Sequence, residues 1–314
     1  MSAPTAPSNG NATRDDGPLG RLRRHLPHPD IAIPALWLAL FFVLPFIIVL
    51  QIGLAEPALA QPPYTALWAW AEEGVLEIRL NLQNFLLVWA DDLYLAAFFN
   101  SLWVALVCTL LCLLIGYPMA YAIATAPERR RVVLLMLIVL PFWTSFLIRV
   151  YAWIGILKPN GLLNNLLEWL GLIDEPLAIL HTQAAVYIGV VYSYLPFMIL
   201  PLYANLSRMD LTLLEAAADL GCRSTRAFMR ITLPLSLPGI VAGSMLVFIP
   251  VVGEFVIPDL LGGPDSLMVG RMLWTEFFSN KDWPLASAIA ILLLAVLVVP
   301  FVAMQRWQQR LEQE

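Results

Sequence analysis

Charge is scarce in this sequence. Asp, Glu, Lys and Arg make up 13% of its 314 residues, against 60% hydrophobic residues and a mean hydropathy of +0.76. Water-soluble domains carry about 25% charged residues, so the chain has too little polar surface to coat a core in water, and lipid is its implied solvent. An excess of basic residues is also missing: the net charge of -5 argues against a nucleic-acid partner, whose phosphates demand a face of Lys and Arg. The three cysteines, Cys108, Cys112 and Cys222, make no even disulfide framework. Cys108 and Cys112 share a helix face at i, i+4 without a His or acidic neighbour, which reads as packing and not as a metal site. His25, His28 and His181 are scattered, with neither metal spacing nor a Ser or Cys partner arrangement, so no catalytic residue and no metal is expected. No Gly is followed by Lys, so the common phosphate-cradling loop is absent and any ATP must be hydrolysed by another chain.

Long apolar runs are what the sequence has in abundance. Residues 1–30 are rich in Pro, Ser, Asn, Gly and charge and read as a disordered tail. Six stretches follow that can cross about 30 Å of hydrocarbon: Ile31 to Ala55, Leu95 to Thr125, Val132 to Leu157, Thr182 to Leu206, Ile240 to Leu261 and Leu285 to Met304. The first is too long for the 7–15 residue core of a secretory signal and reads as an uncleaved anchor. Thirteen Lys and Arg residues fall on the side of the two tails and the connections after spans two and four, and four fall opposite. Both termini, including the 307–314 tail, are therefore expected in the cytoplasm. The first outer connection is acidic, with Glu56, Glu72, Glu73, Glu77, Asp91 and Asp92 against Arg79, and would draw a cation. The later outer connections, around GLLNNLLEWLGL and PDSLMVGRMLWTEFF, suit short helices lying in the membrane interface.

The connection between spans four and five, residues 207–238, predicts two short helices. Ser207 and Asp210 have capping-box spacing, Leu211 to Leu220 is a strong helix former, and Gly221 can take the left-handed turn that closes it. Ser224 can cap a second helix that Pro234 and Pro238 stop. Leu211, Leu214 and Ala218 share one face, Ala216 and Ala217 allow close approach to another body, and Arg223, Arg226 and Arg230 surround the knob. Composition alone favours the other reading, a basic amphipathic helix lying on anionic lipid.

Glu215-Ala216-Ala217, Gly221 four residues later, and Ile231-Thr232-Leu233-Pro234 together resemble the EAA loop of permease subunits of bacterial ABC importers. LPFWTSFLIRVYAWIGILKPNGLLNN, VYSYLPFMILPLYANL and the stretch from Ser244 to Ala290 narrow the likeness to spermidine/putrescine permeases, closest to the putrescine type, over residues 31–306. The resemblance implies an all-α integral membrane protein of the inner membrane: a six-helix type I importer permease bundle with a cytoplasmic coupling helix and no cofactor of its own. It implies four kinds of partner: a second homologous permease, two ATPase subunits, a periplasmic polyamine-binding protein and the lipid itself. Glu215, Ala216, Ala217, Gly221, Ile231 and Pro234 are the positions that would couple to the ATPase.

Ionisable groups at bilayer depth are costly and mark function. Arg149 lies in span three and Glu254 in span five, with Asp259 nearer the outer end. Glu254 and Asp259, with the rings of Trp143, Tyr151, Trp153, Tyr192 and Phe255, form the candidate pathway for a polyamine through charge and cation–π contact. A structural ion pair between Arg149 and Glu254, or two snorkelling side chains, is the alternative for those two residues. Pro45, Pro118, Pro141, Pro196, Pro201 and Pro250 fall within spans and are expected to bend them. Importers of another solute, or a secondary transporter or channel needing no ATPase, are the competing functions.

Overall fold

The computed structural model describes residues 29–70, 76–210 and 212–311. Most of the 1–30 tail lies outside them, as do Glu72 and Glu73 of the acidic connection, Leu211 and residues 312–314. Pro29 and Asp30 already belong to the first helix.

The chain divides into two compact units, 1–51 and 52–314. The first holds most of α1 (Ile31–Gly53), an apolar helix in which a π-helical turn, Ala39–Val43, precedes Pro45. Proline cannot bond back to the preceding turn, and the widened turn accommodates this.

Among its described residues the second unit is mainly helical, with a small antiparallel hairpin, β1 (Trp68–Trp70) with β2 (Leu76–Ile78), and an isolated bridge between Pro57 and Tyr64, which the sequence did not foretell. Its helices are α2 (Gln83–Ala90), α3 (Asp92–Ala124), α4 (Glu128–Val139), α5 (Phe146–Leu157), α6 (Leu162–Trp169), α7 (Gln183–Leu206), α8 (Thr212–Asp219), α9 (Ser224–Leu235), α10 (Leu237–Val252), α11 (Val256–Leu261), α12 (Val269–Trp274) and α13 (Trp283–Leu311). Asp91 caps α3 by accepting from the Leu93 amide at 2.8 Å.

Among the described residues, α1, α3 and α7 are single helices long and apolar enough to cross a bilayer. Two further expected spans are bent. Glu128–Trp143 and Phe146–Trp169 meet at 91° across Thr144 and Ser145, just after Pro141. Span five is entered through a 61° bend between α9 and α10, and it is broken again at Gly253–Phe255, just after Pro250. Pro118, Pro196 and Pro201 sit inside helices that continue, so only some of the prolines expected to bend a span mark a break. The last helix runs to Leu311, past Met304, but its apolar stretch among the described residues, Trp283–Val298, is shorter than the single-helix spans, so the sixth expected span is not matched at that length.

The core is built by α3, α7 and α10. Ser101, Val104, Ala105, Cys108, Cys112, Gly116 and Ala120 form a buried seam along α3, small residues that let helix backbones approach where lipid offers no hydrophobic drive. Both cysteines are packing residues of this seam. Met198 of α7 is the wedge between Gly116 and Gly243: a Cβ at Gly243 would lie 2.8 Å from its Sδ and 3.0 Å from its carbonyl oxygen. A second cluster joins Val88, Tyr94 and Phe98 to Val269, Met272 and Ile289. The α12 segment is thus part of the core and does not lie in the interface as its Leu, Trp and Met spacing suggested; the Val269 amide is held by Ser101 Oγ at 2.8 Å. The α6 helix does expose Leu162, Leu166 and Trp169.

Replacing Gly243 by Leu should cost about 1–3 kcal/mol through overpacking on Met198, seen as a lower unfolding temperature in detergent. Gly155→Ala, where a Cβ meets nothing within 4 Å, should leave that temperature unchanged within error.

Candidate functional site

Helix α10 stops at Val252 and α11 begins at Val256. The intervening Gly253, Glu254 and Phe255 break a helix among buried apolar side chains, where a bare amide has no water to bond. Glu254, 8% exposed, repairs the break. Its Oε1 accepts from the amides of Val256 at 3.0 Å and Ile257 at 3.4 Å, and its Oε2 accepts from the Tyr194 hydroxyl of α7 at 2.5 Å. A carboxylate has about four acceptor positions. Three are used here, and one remains on Oε2.

The other bent span forms the facing wall. Phe142 and Phe146 flank the break at Thr144–Ser145, and Arg149 follows one turn later on the same face. The Arg149 guanidinium carbon lies 5.2 Å from the Phe142 ring centre and 5.8 Å from that of Phe146, within cation–π range. Its Nε is buried and has no hydrogen-bond partner. Arg149, Glu254, Tyr194 and the rings of Phe142, Phe146 and Phe197 line one cavity of about 400 Å³. Among the described residues no ion pair joins Arg149 to Glu254, so the structure does not hold these two charges as a locked pair.

The other candidate residues are dispersed. Phe255 lines the same cavity, stacked on Trp274 with ring centres 4.6 Å apart. Asp259 lies further along α11 and pairs with Arg271 at 3.0 Å. Tyr192 packs edge-on to Trp153 at 5.3 Å and faces a neighbouring apolar cavity, also of about 400 Å³, beside Leu134 and Ile199. Trp143, 84% exposed, and Tyr151, 58% exposed, lie outside both.

Sequence reasoning missed Tyr194, Phe197, Phe142 and Phe146. Tyr192 and Tyr194 differ by about 200° around a helix, and only the tertiary partner selects between them. Phe146 and Arg149, three residues apart in α5, share a helix face and were available from spacing, whereas Phe142 lies across the break at Thr144–Ser145 and joins them only through the bend.

At the other end of the core, α8 and α9 form the expected pair of short helices. Ser207 closes α7, where its hydroxyl donates to Ala204 O, and among the described residues Asp210 is the one that accepts from the start of α8. The Thr212 amide donates to Asp210 Oδ1 at 3.0 Å and holds that carboxyl below its usual range. Gly221, at φ 74°, terminates α8 in a Schellman arrangement: its amide bonds Ala218 O and the Cys222 amide bonds Ala217 O, each at 2.9 Å. Ser224 opens α9 without a side-chain capping bond.

No described residue of α8 is buried. Leu213, Glu215, Ala216, Ala218 and Leu220 are exposed, Leu220 at 88%, while Leu214 and Ala217 are half-buried. Arg223, Arg226 and Arg230 are exposed around them. The pair is fixed to α3 through Phe228, which packs edge-on to Tyr117 and Tyr121 at 5.7 and 5.9 Å, and through a 3.0 Å hydrogen bond between the Tyr117 and Ser236 hydroxyls.

Comparison with known proteins agrees with this architecture. Residues 113–312 match the model of the family described as binding-protein-dependent transport system inner membrane component. The spermidine/putrescine transport system permease protein PotB of Salmonella typhimurium is 40% identical over 261 residues, covering 83% of this chain and 86% of that protein. PotB of Haemophilus influenzae is 40% identical over 271 residues, covering 85% and 90%. Both are named for the two polyamines together. A solved bacterial ABC transporter involved in the import of the acidic polysaccharide alginate shares the fold, with a TM-score of 0.64 at 18% identity over 90% of this chain and 94% of that one. The chain therefore belongs to the binding-protein-dependent transport system inner membrane component family, as a multi-pass permease subunit of the spermidine/putrescine type of ABC importer.

Proposed function

We propose that this chain forms one half of the membrane channel of an ATP-driven importer that carries polyamines, putrescine first and spermidine as the wider alternative, into the cytoplasm. A second homologous permease would complete the channel, two ATPase subunits would bind and hydrolyse ATP, and a periplasmic binding protein would deliver the substrate. Both termini would lie in the cytoplasm, as the distribution of Lys and Arg suggests.

The observation that carries the substrate class is the Glu254 cavity. A diamine presents ammonium groups on an apolar stem. The free acceptor on Oε2 suits one ammonium, and the walls of Phe142, Phe146 and Phe197 suit both the stem and its charge, each ring adding about 0.5–2 kcal/mol. Asp259 and the dispersed rings of Trp143, Tyr151 and Tyr192 are less favoured as direct ligands, since they line other surfaces of this subunit. A solute carrying its own negative charge is the second reading, and the guanidinium of Arg149 in the same cavity is what favours it.

Energy would enter through α8. Glu215 and Ala216 are presented on a face that this chain leaves open, which suits insertion into a cleft of the ATPase, with Glu215 meeting a basic group there. Ala217 is the inward-facing side of that helix, Gly221 supplies the turn, and Ile231 and Pro234 belong to the second helix that returns the chain to the core. Closure of the ATPases on ATP would draw the two knobs of the channel together and open the bundle outward; hydrolysis would reset it.

Two outcomes test this. Glu215→Ala should insert normally yet lose most uptake and release the ATPase during purification, and Gly221→Val, which forces a β-branched residue into a left-handed turn, should do the same; normal uptake in both would remove the coupling role. Glu254→Gln, which keeps a side-chain acceptor for the α11 amides, should raise the KM for putrescine about tenfold, equivalent to about 1.4 kcal/mol. An unchanged KM in competition uptake would confine Glu254 to repairing the helix break.

A further inference from the structure

The proposed pathway leaves Arg149 unexplained. A guanidinium inside a membrane bundle is expensive, and it is normally paired. Here its Nε is buried without a partner, it rests on two phenyl faces, and it shares a cavity with a carboxylate that it does not engage. The seat it occupies has the chemistry of an organic-cation site, with ring faces beside it and a carboxylate lining the same cavity.

We propose that Arg149 is a resident competitor, a tethered cation that holds the Phe142–Phe146 seat in the cavity where Glu254 would receive the ammonium of the incoming polyamine, and so sets which cations the cavity admits. This rests on the polyamine reading of the Glu254 cavity.

A buried carboxylate alone would attract any cation, inorganic monovalent ions included. With a guanidinium fixed in the same cavity the net charge is zero, and a small monovalent ion gains little by entering. A diamine still gains, because it brings a second ammonium and an apolar stem that fits the ring walls. The guanidinium must then yield part of its seat, which weakens substrate binding and eases release. Competition of this kind trades affinity for selectivity.

The test compares Arg149→Met, which keeps an apolar stem of similar reach without the charge, with Arg149→Lys, which keeps the charge. Both are assayed in the full complex reconstituted in liposomes with ATP, with labelled putrescine and with methylammonium as a monovalent probe. Arg149→Met should lower the KM for putrescine threefold or more without raising the maximal rate, and should let millimolar methylammonium inhibit. Arg149→Lys should stay within twofold of the parent and resist methylammonium.

An unchanged or higher KM in Arg149→Met would overturn the proposal, the higher value assigning the guanidinium to recognition of a negatively charged group. A putrescine KM in Arg149→Lys as low as that of Arg149→Met would also overturn it, as would failure of Arg149→Met to assemble where Arg149→Lys assembles, since the charge would then serve folding. Glu254→Gln separates the two levels. If that variant raises KM and Arg149→Met does not lower it, the pathway stands and the competitor falls; if Glu254→Gln has no effect, the pathway itself is wrong.

Discussion

A peptide group in hydrocarbon must find its hydrogen bond within the protein, and this constraint governs every irregularity in the bundle. The stretch Gly253–Phe255 interrupts a helix among buried side chains, and the break is tolerable because the Glu254 side chain accepts from the first amides of α11 while Tyr194 donates to it from α7. One carboxylate thus caps a half-helix, ties two elements together and keeps one acceptor position unused on a residue that lines a cavity. A straight helix at this position would need no such cap, and would offer no such site. The bent span around Thr144–Ser145 supplies the other wall by the same logic, turning Phe142, Phe146 and Arg149 inward where Pro141 prevents a regular helix.

The knob formed by α8 and α9 is connected to that region through stiff elements. Helix α3, with 33 residues, is about 50 Å long at 1.5 Å per residue, well beyond the roughly 30 Å of a hydrocarbon core. Its C-terminal turns carry Tyr117 and Tyr121, which hold Phe228 of the knob, and its middle packs on α7, the helix that carries Tyr194. A displacement of α8 by a partner would therefore reach the cavity through packed rings and a small-residue seam, and not through a loop. The wedge of Met198 between Gly116 and Gly243 keeps that seam dense enough to transmit it.

Much of this was legible in the sequence, for reasons that differ by element. Long apolar runs located α1, α3 and α7, because the length a bilayer demands is a one-dimensional property. The knob was legible because its devices are local: Gly221 adopts the positive φ that its place after Ala217 and Ala218 foretold. Capping detail was less so, since Ser207 and Asp210 compete for the same orphan amides and only geometry awards them to Asp210. The bends after Pro141 and Pro250 were among those the prolines led one to expect, but Pro118, Pro196 and Pro201 sit in helices that continue, so proline alone does not say which span breaks. The α12 segment looked interfacial because its pattern of Leu, Trp and Met cannot tell lipid from a protein neighbour; the contact of Val269 and Met272 with Phe98 and Ile289 decides it. Of the candidate pathway residues, Glu254 and Phe255 reach the cavity while Trp143 and Tyr151 do not, since which ring faces inward depends on a bend that periodicity does not record.

The most direct measurement of the central claim is photolabelling of the assembled importer, held with its binding protein, by a diamine carrying a diazirine on its stem, followed by peptide mapping. The account predicts adducts in the segments 142–149, 193–197 and 250–256, suppressed by excess putrescine. Adducts confined to the apolar cavity beside Leu134 and Ile199, or to the outer surfaces of Trp143 and Tyr151, would contradict it.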